Sequence, residues 1–228
     1  MEFQCPICRY RGAFADVTPV SGLRRHARCP ECRALERHRV QHVVLERLFA
    51  DIDPSRLRVI HFAPEPFFKK YFSGRFAVYH SADLLRPDVD CKVDLTALPF
   101  PDRSYDFVFA SHVLEHIPDD ISAIAEIQRI LRPAGIAVLP VPVVAEHTVE
   151  YAAPNPNEFG HVRSPGFDYF DKFEGYFTRI EQFDSTDIPE HHQPFIYEDR
   201  TRFPTAEAPL RPPMPGARHL SVVPVCYV

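Results

Sequence analysis

The sequence lacks several features that define broad classes of protein. No apolar run is long enough to span a membrane, and the first residues, MEFQCPICRYRG, lack the apolar core of a signal peptide. Excess positive charge is also missing: the net charge is −5, whereas general nucleic-acid or membrane-surface binders are normally basic. We therefore expect a soluble, cytoplasmic protein with no membrane partner, and nucleic acid is not an expected partner. Its 228 residues, 45% of them hydrophobic, suit one α/β domain with a small appendage.

Two pairs of cysteines near the N-terminus share the spacing Cys-x-x-Cys. Cys5 and Cys8 form the first pair, and Cys29 and Cys32 form the second. Together they supply four thiolates for a tetrahedral Zn²⁺, and because such a site has no open position we expect the zinc to be structural. Two disulfides or a redox motif are the alternative, which a reducing cytosol disfavours. We predict a zinc ribbon over residues 1–33.

Two roles are open for the ribbon. Its sequence is locally basic, as in GLRRHARC, which is compatible with nucleic-acid binding. A structural role, in which the ribbon stabilises the fold and also covers a substrate cleft, is the simpler one, and the acidic charge of the whole chain favours it.

A helix predicted for residues 33–52 follows the ribbon. Three basic residues lie near the start of this helix: Arg37, His38 and Arg39. Either they reach the carboxylate of a ligand or they form a solvated face, and the solvated face is the favoured interpretation.

The centre of the chain has the pattern of a strand, a helix and a second strand. Tyr105–Ala110 (YDFVFA) is a short aromatic and β-branched run, which predicts a strand buried on both faces. The pair Asp119–Asp120 opens a helix, because acids suit the positive end of the helix dipole. Pro133 and Gly135 are expected to end that helix, and residues 136–144 return as a strand. The three elements predict a right-handed βαβ unit in a parallel sheet.

The run LPFPDRSYDFVFASHVLEHIPDD, followed by EIQRILRPAGIAVLPVP, resembles the central block of class I S-adenosylmethionine (SAM) dependent methyltransferases. With its flanks, the resemblance covers roughly residues 57–185. The cysteine ribbon, an LERHR helix and an APE strand exit together look like a bacterial zinc-ribbon subgroup of these enzymes, similar to the type 11 family. The resemblance implies an α/β, Rossmann-like domain over residues 34–228, with a seven-stranded, mostly parallel sheet flanked by helices.

The flanking sequence supplies the other strands of this sheet. The predicted strands before and after the central block are residues 57–62, 76–80, 91–95, 177–183 and 219–228. The last strand is expected to be antiparallel, and Pro224 suggests an edge or bulged position for it. Residues 145–165 are long and polar and are predicted to form a lid or substrate loop. The proline-rich residues 187–218 are predicted to form an irregular excursion.

The loop after the first strand departs from the methyltransferase pattern. Most class I enzymes place an acid-x-G-x-G-x-G loop here, so that the backbone approaches the methionine part of SAM, but HFAPE has no glycine. The glycine roles therefore do not carry over to this chain, although small Ala63 and rigid Pro64 still allow a tight turn. By position in the resemblance, the candidate cofactor-binding residues of this loop are His61, Ala63, Pro64 and Glu65.

Acids at the ends of the next two strands are the candidates for binding the nucleoside. The resemblance places Asp83, followed by Leu84, where an acid accepts hydrogen bonds from the ribose hydroxyls, and a carboxylate offers two acceptors to a diol. Asp94 matches the acid that accepts from the adenine amino group, while the Leu95 backbone serves the ring nitrogens. Both acids follow parallel strands at their carboxyl ends, where open α/β sheets bind ligands.

The exit of the fourth strand supplies further candidates. Ser111 and His112 leave the strand at the same edge and complete the predicted cofactor site. His112, His116 and His161 are the candidate catalytic residues, each as a general base. The alternative, which is the commoner one for a single histidine, is a core or capping role.

The segment FGHVRSPGFDYF resembles a segment of the same zinc-ribbon subgroup, with a few residues missing. This resemblance implies four candidate residues for the acceptor site: His147, His161, Arg163 and Tyr169. The aromatic residues nearby are instead expected to dock a helix on the sheet, and the phenylalanines among them are Phe159, Phe167, Phe170 and Phe173.

The sequence therefore predicts an enzyme that transfers the methyl group of SAM to a hydroxyl or amine of a small-molecule acceptor, with a structural zinc in its ribbon. No motif of the N-P-P-Y type is present, which disfavours methylation of nucleic-acid bases. Two alternatives stay open: an enzyme that cyclises or cleaves SAM, and a non-catalytic zinc-ribbon interaction module. The sequence does not predict the oligomeric state.

Overall fold

The computed structural model describes residues 2–19 and 22–228. In chain order, the strands within those residues are β1 (Phe3–Gln4), β2 (Arg11–Gly12), β3 (Ala15–Val17), β4 (Arg24–Arg28), β5 (Arg58–Phe62), β6 (Val78–Asp83), β7 (Cys91–Lys92), β8 (Tyr105–Ala110), β9 (Leu131–Val138), β10 (Val149–Asn155), β11 (His161–Ser164), β12 (Arg179–Asp184), β13 (Ile196–Tyr197), β14 (Arg218–His219) and β15 (Val222–Tyr227). The α-helices are α1 (Glu36–Leu48), α2 (Pro66–Phe72) and α3 (Asp120–Ile130). Short 3₁₀ turns occupy Pro54–Arg56, Leu114–His116, Pro156–Glu158, Phe167–Phe173, Ser185–Asp187 and Glu190–His192. Within this part of the chain, none of the helices combines the length and apolar character needed to cross a membrane.

The chain divides into two compact units, each made of several segments. The first unit contains the described residues up to Leu48, together with Pro142–Tyr169 and Phe183–Val223. The second contains Phe49–Val141, Phe170–Gln182 and Pro224–Val228. The predicted ribbon therefore lies in the first unit, and the central strand–helix–strand block lies in the second.

The second unit is built on a seven-stranded sheet with the strand order β12-β15-β9-β8-β5-β6-β7. Strands β5 to β9 pair in parallel with one another, and β15 pairs antiparallel with β9. The register aligns Phe62 with Ala82 on one side and with Ala110 on the other, so the carboxyl ends of β5, β6 and β8 meet at one edge. The predicted Rossmann-like, mostly parallel sheet is confirmed, as is the antiparallel direction of the last strand.

The central block owes its structure to its local sequence. Five of the six residues of β8 are buried, as expected for a strand covered on both faces. The Asp119 side chain accepts a hydrogen bond of 3.1 Å from the Ser122 backbone N–H and so caps α3 at its N-terminus. Ile124 and Ile127 of α3 are fully buried. The helical spacing of these apolar residues therefore predicted the buried face correctly.

The third parallel strand is shorter than predicted. Only Cys91–Lys92 pairs with β6, whereas the prediction extended the strand to Leu95. The reason is the carboxylate of Asp94, which accepts hydrogen bonds from the backbone N–H and the hydroxyl of Thr96, at 2.9 and 2.8 Å. This local bond turns the chain in place of continuing the strand.

The end of α3 also differs from the prediction. The helix stops at Ile130, and Pro133 and Gly135 lie inside β9 instead of ending the helix. The pairing of β9 with β8 shifts register between Tyr105 and Phe107, and Ala134 has a φ of 61°. This irregularity explains the placement, because bulges accommodate proline and left-handed residues within a strand.

Among its described residues, the first unit contains four two-stranded ladders. β1 pairs with β2 and β3 pairs with β4 in the ribbon, and β13, within the predicted excursion, pairs with β14 at the end of it. Residues 145–165 are more regular than a loop, since β10 and β11 form an antiparallel hairpin with a shifted register. A role of this hairpin as a lid stays a prediction.

The phenylalanines of the segment after β10 divide into two groups. Phe170 and Phe173 are buried, with at most 1% of their surface exposed, as expected. For Phe159 and Phe167 the prediction is wrong, because 68% and 44% of their surfaces are exposed. Phe159 sits after a 3₁₀ turn with a φ of 56°, so its side chain leaves the hairpin at a sharp bend.

Candidate functional site

The candidate cofactor site occupies the edge where the parallel strands of the second unit end. The Ala63 N–H, just after β5, donates to the Ala82 carbonyl in β6 at 2.8 Å. The Val93 N–H donates to the Asp83 carbonyl at 3.0 Å, and the His112 N–H donates to the Pro140 carbonyl at 2.8 Å. These bonds hold the exits of neighbouring strands side by side, which brings the predicted residues of this unit to one edge.

The glycine-free loop makes its turn at Ala63. This alanine has a φ of 46°, in the left-handed region that normally favours glycine. The next carbonyl, that of Pro64, accepts a hydrogen bond of 2.7 Å from the guanidinium of Arg86, and α2 begins at Pro66. The loop therefore achieves without glycine the tight turn that the methyltransferase pattern assigns to glycine.

His61, the first candidate of this loop, points into the core. Only 1% of its surface is exposed, and its ring packs edge-on against Phe72 and Phe109. Its Nδ1 lies 2.9 Å from the hydroxyl of Tyr79, and burial lowers its pKa to about 3. The side chain is thus a neutral core group, and any contact of His61 with a cofactor would involve its backbone. The roles of this loop in binding stay predictions.

Asp83 and Asp94 use their carboxylates in similar ways. One oxygen of Asp83 accepts from the backbone N–H groups of Leu85 and Arg86, at 2.7 and 2.9 Å. The bonds from the backbone and hydroxyl of Thr96 lower the pKa of Asp94, so this carboxyl is ionised at neutral pH. Each acid is held at a strand exit by its Oδ1, and this fixed geometry suits recognition of hydroxyl and amino groups.

Two leucines flank these acids in opposite environments. Leu84 exposes 52% of its surface beside Asp83, whereas Leu95 is buried, with 6% exposed. An exposed leucine next to a fixed carboxylate provides an apolar surface and a hydrogen-bond acceptor together. This combination fits a nucleoside, which presents a flat apolar base and a polar sugar, so the residues present fit the SAM expected from the sequence.

The exit of β8 carries a second left-handed residue at this edge. His112 has a φ of 56°, and its Nδ1 lies 3.4 Å from Oε1 of the buried Glu115. Ser111 is buried, and His116 is exposed on the 3₁₀ turn that follows. Left-handed backbone at a non-glycine residue is uncommon and concentrates at functional positions. Glu115 was not among the predicted residues, although its spacing of three from His112 places it on the same turn.

The predicted acceptor-site residues belong to the first unit. His147 is exposed, and His161 is 8% exposed at the start of β11. Arg163 is 3% exposed and forms an ion pair of 2.9 Å with Glu150 across the β10–β11 hairpin. Tyr169 is fully buried. Acceptor binding by these residues stays a prediction, and His147 is the most accessible of them.

The four ribbon cysteines converge as a zinc site requires. Cys5 and Cys32 have their Sγ atoms 3.6 Å apart, as do Cys8 and Cys29, and all four Sγ atoms lie within 4.8 Å of one another. These separations exceed the S–S bond length of about 2.05 Å, so none of these pairs is a disulfide. Four converging thiols fit tetrahedral Zn²⁺ bound as thiolates.

A buried guanidinium lies behind the cysteine cluster. Arg39 of α1 is fully buried and donates to the carbonyls of Ala27 and Ala34, at 3.0 and 2.8 Å, and to that of Gln193. Burial lowers the pKa of Arg39, which Glu36 and the cysteines partly offset. The prediction of a solvated face is therefore wrong for Arg39, and also for His38, which is 8% exposed.

Comparison with known proteins agrees with this geometry. A family described as a methyltransferase domain matches residues 77–139, from the start of β6 to the end of β9. Demethylmenaquinone methyltransferase of Staphylococcus epidermidis is 42% identical over 45 residues, which are 20% of this chain and 19% of that protein. The 27-O-demethylrifamycin SV methyltransferase of Amycolatopsis mediterranei is 42% identical over 55 residues, 22% of this chain and 20% of that protein. The matches span about a fifth of the length of these curated relatives.

Solved structures extend the similarity of fold to most of the chain. The 1,6-didemethyltoxoflavin-N1-methyltransferase of Burkholderia thailandensis superposes with a TM-score of 0.54 at 15% identity, over 84% of this chain and 77% of that chain. A SAM-dependent methyltransferase of Mesorhizobium loti gives a TM-score of 0.53 at 13% identity, over 83% and 98% of the two chains. The central segment therefore matches a methyltransferase domain, and the fold of the chain is similar to that of solved SAM-dependent methyltransferases.

Proposed function

We propose that the chain transfers the methyl group of SAM to a hydroxyl or amine of a small molecule. The observation that carries this proposal is the edge of the parallel sheet, where Ala63, Asp83, Asp94 and His112 stand at the ends of neighbouring strands. Two relatives with matching segments are named for methylation of small molecules, and so is a structural neighbour. These names support an acceptor of this class here.

The chain's own residues supply binding and orientation. The left-handed turn at Ala63 lets the backbone after β5 approach a ligand closely. Asp83 would hold the ribose hydroxyls and Asp94 the adenine amino group, each with a carboxylate whose position is fixed by its own turn. SAM supplies a methyl group that is already activated as a sulfonium, so alignment of the nucleophile and exclusion of water are the main tasks of the protein.

His112 is the best-placed proton acceptor of this unit. It leaves β8 at the cofactor edge, and the carboxylate of Glu115 lies 3.4 Å from its Nδ1. An imidazole held in this way would present Nε2 to an acceptor hydroxyl or ammonium group and take up its proton. His116 and His161 keep the same proposed role.

Calorimetric titration with S-adenosylhomocysteine tests the cofactor site. Asn in place of Asp keeps an oxygen for the turn but removes the charge, so Asp83→Asn and Asp94→Asn should lose at least about tenfold in affinity while remaining folded. Asp53→Asn is the matched control, because Asp53 accepts from Ser55 as Asp94 accepts from Thr96, but at the opposite end of β5. Full affinity in both site variants would contradict the proposed binding mode.

Product analysis then separates methylation from other uses of SAM. A methyltransferase releases S-adenosylhomocysteine in proportion to methylated acceptor, whereas an enzyme that cyclises SAM releases methylthioadenosine. We expect only the former when small hydroxyl- and amine-bearing acceptors are screened. Release of methylthioadenosine without an acceptor would overturn the proposal of methyl transfer and leave the cofactor site intact.

A further inference from the structure

Arg86 joins two of the strand exits that carry candidate cofactor residues. It lies in the loop that follows β6, and its backbone N–H donates to Oδ1 of Asp83 at 2.9 Å. Its side chain reaches the exit of the neighbouring strand β5, where Nη1 donates to the Pro64 carbonyl at 2.7 Å. One residue therefore contacts both the glycine-free loop and the acid proposed to hold the ribose.

The guanidinium of Arg86 is oriented by a carboxylate. Its Nε and Nη2 donate to the two oxygens of Asp88, at 3.0 and 2.7 Å, in the planar two-bond arrangement that arginine forms with a carboxylate. The carbonyl of Asp88 accepts a further bond of 2.7 Å from Nζ of Lys69 in α2. Because two of its nitrogens are fixed in this way, the third nitrogen is held at the Pro64 carbonyl.

The loop that carries Arg86 is also closed at its base. Oδ2 of Asp90 accepts hydrogen bonds from the backbone N–H and the hydroxyl of Ser81, at 2.8 and 2.6 Å. The N–H of Asp90 donates back to the same hydroxyl at 3.1 Å. A loop bound together at its base and at Asp83 provides a fixed support, so its arginine can fix the position of the backbone that it contacts.

The loop after β5 requires support of this kind. Ala63 has a φ of 46°, and a non-glycine residue in this region persists only where its surroundings hold it. The N–H of Ala63 is held by the Ala82 carbonyl at 2.8 Å, and the next carbonyl, that of Pro64, is held by Arg86. The left-handed turn is thus fixed by one bond on each side.

We propose that Arg86 is a positioning residue, which holds the glycine-free loop where its backbone binds the methionine part of SAM. The inference rests on the proposed function, because the methyltransferase pattern places this loop beside that part of the cofactor. Arg86 acts through the Pro64 carbonyl and does not itself touch the cofactor. The arginine thereby takes over, from outside the loop, a task that the usual pattern gives to glycines within it.

Calorimetric titration of the full chain with two ligands tests this role. S-adenosylhomocysteine contains the amino-acid part of the cofactor, whereas methylthioadenosine contains only the nucleoside and a methylthio group. Arg86→Met should bind S-adenosylhomocysteine at least about tenfold more weakly, because a charged hydrogen bond to the loop is lost. It should bind methylthioadenosine within about twofold of the native chain. Asp83→Asn, at the ribose, should instead weaken both ligands by a similar factor.

The matched control is Arg132→Met. Nη1 of Arg132 donates to both oxygens of Asp106, at 3.0 and 3.1 Å, and its Nε donates to the Arg103 carbonyl at 3.2 Å. Its side chain is 42% exposed, compared with 37% for Arg86. Asp106 lies near the start of β8, at the end of the sheet opposite the cofactor edge. Arg132→Met should therefore bind both ligands as the native chain does.

A direct bond from Arg86 to the carboxylate of the cofactor is the alternative to positioning. The variant Asp88→Asn distinguishes the two, because it removes the charge that orients the guanidinium. A positioning arginine would then hold the loop less firmly, and we expect S-adenosylhomocysteine to bind about two- to fivefold more weakly. An arginine that binds the ligand itself would be released by the same change, so unchanged or tighter binding would contradict the positioning role.

The remaining outcomes separate this inference from the proposed function. Native affinity of Arg86→Met for S-adenosylhomocysteine would overturn the inference and leave the proposed function standing. Equal weakening toward both ligands would also overturn it, because it would indicate a general disturbance of the edge. If the native chain bound neither ligand, the proposed function and the inference would be overturned together.

Discussion

The Nδ1 atom of His61 lies 2.9 Å from the hydroxyl oxygen of Tyr79, inside the aromatic core of the second unit. Burial lowers the pKa of His61 to about 3, compared with about 6.5 in an unfolded chain. Between these two values the unfolded chain binds a proton that the folded chain does not. The contribution of His61 to stability is therefore complete above about pH 6.5 and is lost progressively as the pH falls toward 3.

Stability should accordingly fall on mild acidification, and His61 should account for part of the slope. Between pH 6.5 and 5, we expect the native chain to lose roughly 1.5 kcal/mol more than the variant His61→Phe with Tyr79→Phe, which removes both partners. Urea unfolding at each pH measures the difference. His116→Gln, at an exposed histidine, is the control and should keep the native slope; identical slopes in all three proteins would rule out the buried histidine as the cause.

The left-handed turn at Ala63 predicts that substitution by glycine will stabilise the fold, although glycine usually destabilises. Ala63→Gly should stabilise the fold by about 0.5–1 kcal/mol, since relief of the positive φ outweighs the added freedom of the unfolded chain. Ala63→Val should destabilise it by more than about 1 kcal/mol, because a β-branched residue tolerates this region poorly. Ala125→Gly, within α3, is the opposite control and should cost about 1 kcal/mol. Thermal unfolding distinguishes these signs, and a destabilised Ala63→Gly would contradict the turn geometry.

The parts of the fold that the sequence predicted are those whose causes are local. The burial of β8 and the start of α3 follow from residues within a few positions of one another, which is why β8 and the start of α3 were predicted almost to the residue. The cysteine turns are local in the same sense. The third strand was overextended because two hydrogen bonds from Thr96 to the Asp94 carboxylate outweigh the strand pattern of the neighbouring residues.

The parts that were not predicted depend on partners distant in sequence. Arg39 is buried because its guanidinium reaches the carbonyl of Gln193, 154 positions away, and no periodicity in α1 reports that contact. Likewise, the pKa of His61 depends on the strands packed around it. The sequence shows correctly that basic residues lie at the start of α1. It cannot show which of these cations are solvated and which are buried.

The burial of Arg39 leads to a prediction about zinc. Its guanidinium donates to the neutral carbonyls of Ala27, Ala34 and Gln193, so the thiolates of a zinc-bound cluster are a favourable source of negative charge for it. Arg39→Met should weaken zinc binding by roughly 10–100-fold, as measured by competition with a chromophoric chelator. Arg47→Met is the control, because Arg47 lies on the same helix, is exposed and also donates to a carbonyl, that of Asp187. Native zinc affinity in Arg39→Met would exclude an electrostatic role.

The first unit contains a buried ion pair between Glu158 and Arg200, and substitution of either residue should strongly destabilise this unit. Glu158 is 4% exposed and accepts hydrogen bonds of 2.6 Å from both Tyr151 and Ser164 while pairing with the buried Arg200. Removal of the carboxylate leaves Arg200 buried without its charge partner, which costs far more than the loss of an exposed pair. The burial penalty on Glu158 is outweighed by Arg200 and these hydroxyls, which keep its pKa below the usual value.

We therefore expect Glu158→Ala to destabilise the protein by about 3–5 kcal/mol. Glu190→Ala, which breaks an exposed pair of 2.8 Å with Arg218 in the same unit, should cost less than about 1 kcal/mol. Denaturant unfolding compares the two. Because the carboxyl of Glu158 has a lowered pKa, the native advantage over Glu158→Gln should be complete at neutral pH and shrink once the pH falls below about 4.5. A constant difference between these two proteins from pH 7 to pH 3.5 would show that the charge of Glu158 is not what stabilises the hairpin.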